Sequence, residues 1–194
     1  MGLDARIGKQ FLKAGVGFGG SCFPKDVSAF LHISEKLGAR FELLADVLRI
    51  NDSQVKYFVE KIKSSMKTLR GKTVGVLGLA FKPDTDDMRS APSIPIIQML
   101  QKEGARVKAY DPQAAAKAAA ILPDVDYVNT PYKAAQGAHA IALITEWSEF
   151  LNLDWGHLKK SMKDRFFFDG RNMFSPLEMK KQGFCYFSIG RPSD

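Results

Sequence analysis

The chain has 194 residues, a length that suits one globular domain, or one domain with a helical appendage. Of these residues 45% are hydrophobic and 25% are charged, a composition that argues against a disordered or fibrous protein. Its apolar stretches are shorter than the ~20 residues of a membrane span, no signal-peptide core is present, and the two cysteines have no His or Cys at metal-ligand spacing. We therefore expect a cytoplasmic protein with no membrane contact and no metal site, whose net charge of +7 suits either a nucleic acid or a small ligand that carries phosphate.

The N-terminal part of the chain has the pattern of a helical region. We expect a helix over residues 4–13, a glycine-rich loop, and a second helix that begins at Pro24 and ends near Gly38. Apolar residues then repeat at helical spacing, which predicts a helix over residues 41–67 that is about 40 Å long. Because few small domains cover such a helix, we expect a homodimer formed through it; the alternative is a long helix that lies on its own domain.

From Gly71 onward, short apolar runs alternate with helical stretches. The pattern predicts strands at 73–79, 106–110, 125–128, 138–145, 165–169 and 184–189, and helices near 92–104, 113–121, 131–136 and 175–181. This alternation is typical of βαβ units, so we expect an α/β domain with a parallel sheet and helices on both faces.

Cys22 is the first candidate for chemistry. It lies between a glycine-rich loop and a predicted helix start, and Lys25 follows three residues later. The N-terminus of a helix and a lysine both favour a thiolate, and the glycines allow a substrate to approach the backbone. The arrangement suits a nucleophile, while a buried and inert cysteine is the alternative; for Cys185, inside an apolar strand, we expect the inert form.

Three segments carry a resemblance to a known family. They are residues 15–26 (GVGFGGSCFPKD), residues 78–90 (GLAFKPDTDDMRS) and residues 168–172 (FDGRN). The first resembles the catalytic-cysteine segment of the UDP-glucose 6-dehydrogenases, within the UDP-glucose/GDP-mannose dehydrogenase family. The other two resemble the UDP-binding C-terminal domain of the same family. The resemblance implies a central helical dimerisation region over residues 1–70 and a Rossmann-like domain that binds a UDP-sugar over residues 71–194.

The activity that the resemblance implies is a two-step oxidation of UDP-glucose to UDP-glucuronate with two NAD molecules. The C6 hydroxyl becomes an aldehyde, Cys22 adds to it as a thiohemiacetal, loss of a second hydride gives a thioester, and water releases the acid. Asp26 matches the carboxylate that positions or activates this water, although a carboxylate in the first turn of a helix is also favourable by itself. In a bacterial member the product would serve polysaccharide biosynthesis.

The family's NAD-binding domain, with its G-x-G-x-x-G motif, is not found in these 194 residues. We therefore expect the C-terminal part of such an enzyme, which alone binds UDP-sugar weakly and does not turn over. Two alternatives stay open. One is a dehydrogenase of another nucleotide sugar, GDP-mannose or a UDP-N-acetylhexosamine. The other is a non-catalytic module that binds a sugar nucleotide or dimerises.

The resemblance also implies ligand contacts, although each basic residue taken alone would be a solvated surface charge. Lys, Arg and backbone N–H groups are suitable donors to a pyrophosphate. Nucleic-acid binding is not expected, because no recognisable motif accompanies the charge. The expected contacts to the sugar nucleotide are Arg6, Lys13, Gly15, Val16, Gly17, Phe18, Gly19, Phe81, Lys82 and Arg171, and those on the NAD side are Lys25 and Arg89.

Overall fold

The second part of the chain forms a parallel sheet. The computed structural model describes residues 1–9 and 12–192. Neighbouring strands are parallel throughout, and their order is that of the Rossmann fold, in which the direction of winding reverses between the first and fourth strands. The predicted α/β, Rossmann-like class is confirmed. Across the sheet, the strands are β3 (Asp126–Tyr127), β2 (Arg106–Tyr110), β1 (Thr73–Leu77), β4 (Ala140–Leu143), β5 (Phe166–Asp169) and β6 (Cys185–Ser188).

Apolar side chains cover both faces of this sheet. β4 is buried along its whole length, and β1 is buried from Val74 onward. Phe167 and Phe168 are neighbours on β5, so their side chains point to opposite faces. Because each belongs to a different hydrophobic cluster, the domain has one cluster on each face, and this explains why the strands are nearly continuous apolar runs.

Short helices connect the strands. Two elements at 148–161 have no counterpart in the sequence analysis. The second of these elements begins after an N-cap residue that the sequence does show, because the Asp154 side chain accepts the backbone N–H of His157 at 2.9 Å. The helices are α3 (Ser93–Lys102), α4 (Ala115–Ile121), α5 (Pro131–Ala135), α6 (Trp155–Ser161) and α7 (Pro176–Lys181), with a 3₁₀ helix at Ser148–Asn152.

The long helix α2 (Glu42–Met66) confirms the prediction for residues 41–67 and joins the two parts of the chain. Its C-terminal half enters the core through Phe58, Val59, Ile62 and Met66. Its N-terminal half and the preceding helix α1 (Cys22–Lys36) bury no side chain. In the described part of the chain, no helix is long and apolar enough to cross a membrane.

The N-terminal segment differs from its prediction. Residues 1–9 form turns, residues 12 and 13 are not helical, and residues 10 and 11 of the predicted helix lie outside the described residues. The Asp4 side chain accepts the backbone N–H of Arg6 at 2.9 Å, a local bond that competes with a helix. α1 begins at Cys22 and not at Pro24, since the first four N–H groups of a helix need no partner and Pro24 is tolerated there.

Candidate active site

Cys22 occupies the N-terminus of α1 with its thiol free and exposed. Ser21 precedes it, and the Ser21 hydroxyl lies 3.8 Å from the Cys22 Sγ and caps no backbone group of the helix. The partial positive charge of the free N–H groups therefore acts on the sulfur. This exposed position does not fit the alternative of a buried and inert cysteine.

The segment before Cys22, residues 15–21, is called the cysteine loop below. Both of its ends are bonded to the α/β domain. Near its start, the Val16 N–H donates to the Gly170 carbonyl at 2.9 Å, and near its end the Gly20 N–H donates to the Arg89 carbonyl at 2.9 Å. These bonds bring the loop against two segments that follow sheet strands, residues 78–92 after β1 and residues 170–174 after β5.

Glycines allow the cysteine loop to pack this closely. A side chain at Gly19 would collide with the Ser90 carbonyl oxygen, and one at Gly20 would lie 2.6 Å from the Phe81 ring. Gly20 also has a φ of +84°, which side chains rarely allow. The glycine spacing in this segment therefore follows from its contact with the segment after β1.

A side-chain amide from α2 holds the middle of the cysteine loop. Asn51 Oδ1 accepts the Phe18 N–H at 2.8 Å, and Asn51 Nδ2 donates to the Phe18 carbonyl at 3.2 Å. The Phe18 ring packs on the Phe23 ring of α1, with centroids 5.8 Å apart. Sequence analysis missed Asn51, because a single asparagine in a helix whose partner is 33 residues away carries no motif or period.

Arg171 lies between the cysteine loop and the sheet, and its side chain is only 14% exposed. Its Nε donates to the Ile144 carbonyl at 2.7 Å, and its Nη1 donates to the Gly17 carbonyl at 3.0 Å. Glu146 Oε2 lies 3.2 Å from Nε without hydrogen-bond geometry, so the two form an ion pair only. Burial lowers the pKa of Arg171, and the charges of Glu146 and Asp169 oppose this effect. The guanidinium supports the loop in addition to any contact with a ligand.

The predicted charged residues near Cys22 form two ion pairs. Lys25 and Asp26 form an exposed ion pair at 3.3 Å on the first turns of α1. Arg89 binds Asp87 through two nitrogens, with Nε–Oδ1 at 3.0 Å and Nη2–Oδ2 at 2.7 Å. Hydrogen bonds from Arg89 hold the pKa of Asp87 at about 2, and the same bonds raise the pKa of Arg89. The charge of Cys22 adds to the latter shift, which places Arg89 within electrostatic range of the thiol.

Two predicted residues after β1 also face the cysteine loop region. Phe81 lies against Gly20, and the exposed Lys82 ammonium lies 5.4 Å from the centre of the Phe81 ring. In contrast, Arg6 is exposed and paired with Asp4 at 2.8 Å, and Lys13 is exposed. Among the described residues, the structure shows no hydrogen bond or ion pair between either of these two and the other predicted contacts.

Sequence analysis also missed Asp111, a buried residue that directly follows β2. Its Oδ2 accepts the backbone N–H groups of Leu79 and Ala80 at 2.6 and 3.1 Å and the indole N–H of Trp147 at 3.1 Å. In a dinucleotide-binding Rossmann domain, N–H groups of the turn after β1 hold the pyrophosphate. Here a carboxylate occupies them, so this turn does not fit a dinucleotide.

Lys25 and Arg89, the residues expected on the NAD side, are both exposed, and each is paired with a carboxylate of the chain, that of Asp26 or Asp87. Within residues 1–9 and 12–192, no three His, Cys, Asp or Glu side chains lie close enough together to hold a metal ion.

Comparison with protein families gives two matches. Residues 75–176 match the UDP binding domain of the UDP-glucose/GDP-mannose dehydrogenase family, and residues 1–53 match the central domain of the same family. Over 194 residues the chain is 47% identical to UDP-glucose 6-dehydrogenase TuaD of Bacillus subtilis. This match covers 100% of the chain and 42% of TuaD.

Comparison with solved structures also gives matches to dehydrogenases of nucleotide sugars. A UDP-glucose dehydrogenase from the archaeon Pyrobaculum islandicum matches with a TM-score of 0.85 and 37% identity, over 98% of this chain and 42% of that one. A UDP-D-ManNAc dehydrogenase from Pyrococcus horikoshii matches with a TM-score of 0.75 and 28% identity, over 93% of this chain and 40% of that one. The chain therefore spans less than half the length of the relatives it matches.

Proposed function

The chain belongs to the UDP-glucose/GDP-mannose dehydrogenase family, and from this premise we propose that it supplies the nucleophile and the sugar-nucleotide site of an NAD-dependent UDP-glucose 6-dehydrogenase. The observation that carries the proposal is the exposed Cys22 at the N-terminus of α1, on a loop that is bonded to the segments after β1 and β5. The choice of UDP-glucose is supported by the identity of 37% to a UDP-glucose dehydrogenase against 28% to a UDP-D-ManNAc dehydrogenase.

In the proposed reaction, Cys22 forms a covalent bond to the sugar. NAD, when bound, supplies the hydride acceptor for both oxidation steps. Between these steps the Cys22 thiolate adds to the C6 aldehyde and gives a thiohemiacetal, and the second step leaves a thioester. Water then attacks the thioester carbonyl, the carbon–sulfur bond breaks, and Cys22 is regenerated. Asp26, one turn further along α1, takes up the proton of this water.

The remaining residues bind the substrate and cofactor. Arg171 and the backbone of the cysteine loop, residues 15–19 in particular, contact the uridine and pyrophosphate, and Phe81 and Lys82 contact the sugar nucleotide. The exposed Lys25 and Arg89 take the NAD side. Arg6 and Lys13 are exposed, and we include them among the contacts to the sugar nucleotide on the family resemblance alone.

We also propose that the chain forms a homodimer through α1 and the N-terminal half of α2. Neither segment buries a side chain, and the apolar Leu43 and Ile50 are 70% and 51% exposed. A second copy of this face would remove that apolar surface from water. Sedimentation equilibrium at micromolar concentration should give a dimer, and Ile50→Asp should shift it to a monomer. A monomeric parent chain would contradict the proposal.

Calorimetric titration with UDP-glucose, GDP-mannose and UDP-N-acetylmannosamine tests the proposed substrate. We expect UDP-glucose to bind at least about tenfold more tightly than the other two, a difference of about 1.4 kcal/mol. Lys82→Ala should weaken this binding, because it removes an exposed donor at no cost to the core. Lys102→Ala, at the end of α3, is the matched control and should have no effect. Tighter binding of another nucleotide sugar, or no binding of UDP-glucose, would overturn the assignment.

A further inference from the structure

We propose that Asn51 is a positioning residue, whose side-chain amide fixes the backbone of Phe18 and thereby orients the cysteine loop for substrate. The inference rests on the proposed function, because it assumes that this loop binds the sugar nucleotide and presents Cys22 to it. Asn51 itself lies on α2 and is not placed among the ligand contacts.

The geometry of this contact is that of two paired peptide groups. The amide of Asn51 both accepts from the Phe18 N–H and donates to the Phe18 carbonyl, so both backbone groups of one loop residue are satisfied by one side chain. The preceding residue, Gly17, has a φ of +109°. A Cβ atom there would lie 2.9 Å from Asn51 Oδ1. The backbone and the amide are therefore in direct contact, with no room for a side chain or a water molecule between them.

Both bonds require a side-chain amide, and aspartate, which has the same shape, cannot form both. The asparagine amide offers an oxygen acceptor and a nitrogen donor side by side, whereas aspartate offers two acceptors and would face the Phe18 carbonyl with negative charge. Asparagine is also a poor helix former, so its presence inside α2 weakens the helix locally. The compensating interaction lies outside the helix, in the cysteine loop.

This contact acts at the middle of the loop. The bonds at Val16 and Gly20 hold the two ends, and Arg171 holds the Gly17 carbonyl. Without Asn51, the N–H and carbonyl of Phe18 would lose their partners and the middle of the loop would become mobile. A ligand would then have to order the loop when it binds. Half-saturation should then require about tenfold more ligand, which corresponds to about 1.4 kcal/mol, or about 0.7 kcal/mol for each of the two hydrogen bonds.

Alkylation of Cys22 gives a readout of this effect in the chain as it exists. The chain has two cysteines, so a Cys185→Ser background leaves Cys22 as the single thiol. The rate of its reaction with iodoacetamide is followed by mass spectrometry at increasing UDP-glucose. We expect UDP-glucose to protect Cys22, and Asn51→Ala and Asn51→Asp each to raise the half-protecting concentration about tenfold. Asp52→Ala, an exposed neighbour on α2, is the control and should leave it unchanged.

A purely structural role predicts a different result. In that case Asn51→Ala would lower the melting temperature while the half-protecting concentration stayed within twofold of the parent value, and this outcome would overturn the proposal. An equal increase in Asp52→Ala would also overturn it, since the effect would then belong to α2 in general. Asn51→Asp keeps the shape of the side chain and serves where Asn51→Ala does not fold.

Failure of the proposed function is recognised separately. If UDP-glucose does not protect Cys22 in the parent chain, the substrate assignment fails, and amide hydrogen exchange then decides the role of Asn51 alone. Exchange of the Phe18 N–H should become about tenfold faster in Asn51→Ala than in the parent, because its acceptor is removed. Unchanged exchange at Phe18 would show that Asn51 does not hold the loop.

Discussion

Replacement of Arg171 by alanine should destabilise the chain in addition to any effect on ligand binding. The guanidinium is nearly buried and donates to the Ile144 carbonyl of the sheet and to the Gly17 carbonyl of the cysteine loop. Alanine leaves both carbonyls without this donor. It also leaves Glu146 without the cation that lies 3.2 Å from its Oε2.

The size of the effect follows from these contacts. A hydrogen bond to a charged group contributes about 1.5 kcal/mol or more, so loss of two should lower the free energy of unfolding by about 3 kcal/mol. The ion pair adds less than about 1 kcal/mol, because the Glu146 side chain is 41% exposed and solvent screens it. At roughly 2 to 4 °C per kcal/mol for a chain of this size, the melting temperature should fall by roughly 6 to 12 °C.

Urea unfolding and thermal melting measure this loss. Arg191→Ala is a matched control, since Arg191 also donates to two carbonyls, those of Phe174 and Asn172, but is exposed. We expect it to cost less than about 1 kcal/mol. If Arg171→Ala and Arg191→Ala shift the unfolding midpoint equally, burial of the Arg171 hydrogen bonds contributes nothing and the reasoning is refuted. A titration of ligand into Arg171→Ala is interpretable only after this comparison.

Three further predictions concern the neighbouring segments. Gly19→Ala should lower the free energy of unfolding by about 1 to 3 kcal/mol and weaken UDP-glucose binding, because its methyl group collides with the Ser90 carbonyl. The carboxyl of Asp87 should titrate with a pKa of about 2 by NMR, so its contribution to stability is present above the ordinary pKa near 4 and is lost as pH falls toward 2. Asp111→Ala should destabilise the chain by about 3 kcal/mol or more, since it leaves the buried N–H groups of Leu79 and Ala80 without their acceptor.

Each of these has its own control. Gly156→Ala, in helix α6, should be neutral or stabilising, and equal losses at both glycines would exclude the steric explanation for Gly19. Arg89→Gln should return the pKa of Asp87 toward its ordinary value; an ordinary pKa already in the parent chain would contradict the Arg89 bonds. Asp111→Ala should also change the fluorescence of Trp147, which loses its indole acceptor, and an unchanged spectrum with full stability would count against this contact.

Most of the fold could be predicted because it depends on patterns that repeat locally. All six strands coincide with apolar runs, and helix α2 follows a period of apolar residues over 25 positions. The predicted helix over 4–13 was wrong in its described residues, because a side-chain bond at Asp4 produces turns that propensity does not reveal. The start of α1 was misplaced by two residues, since proline is compatible with more than one position in the first helical turn.

The candidate site was predictable only through its motifs. Glycine spacing and the position of Cys22 before a helix are visible in the sequence, and so is an arginine after a predicted strand. The partners that hold these residues are not. Asn51 and Asp111 each bind backbone groups 31 to 33 residues away, and Asp111 could have been noticed only as an acidic residue after a buried strand.

The position of Cys22 depends more on the cysteine loop than on α1. Helix α1 buries no side chain, so hydrophobic packing within this chain, such as the contact of Phe23 with Phe18, holds it only weakly. The loop, in contrast, is bonded at Val16, Phe18 and Gly20 to three separate segments. A ligand that contacts the loop therefore acts on Cys22 through backbone hydrogen bonds. A second copy that covers α1 would instead fix the orientation of the helix, so the proposed ligand binding and the proposed dimer would both constrain the position of Cys22.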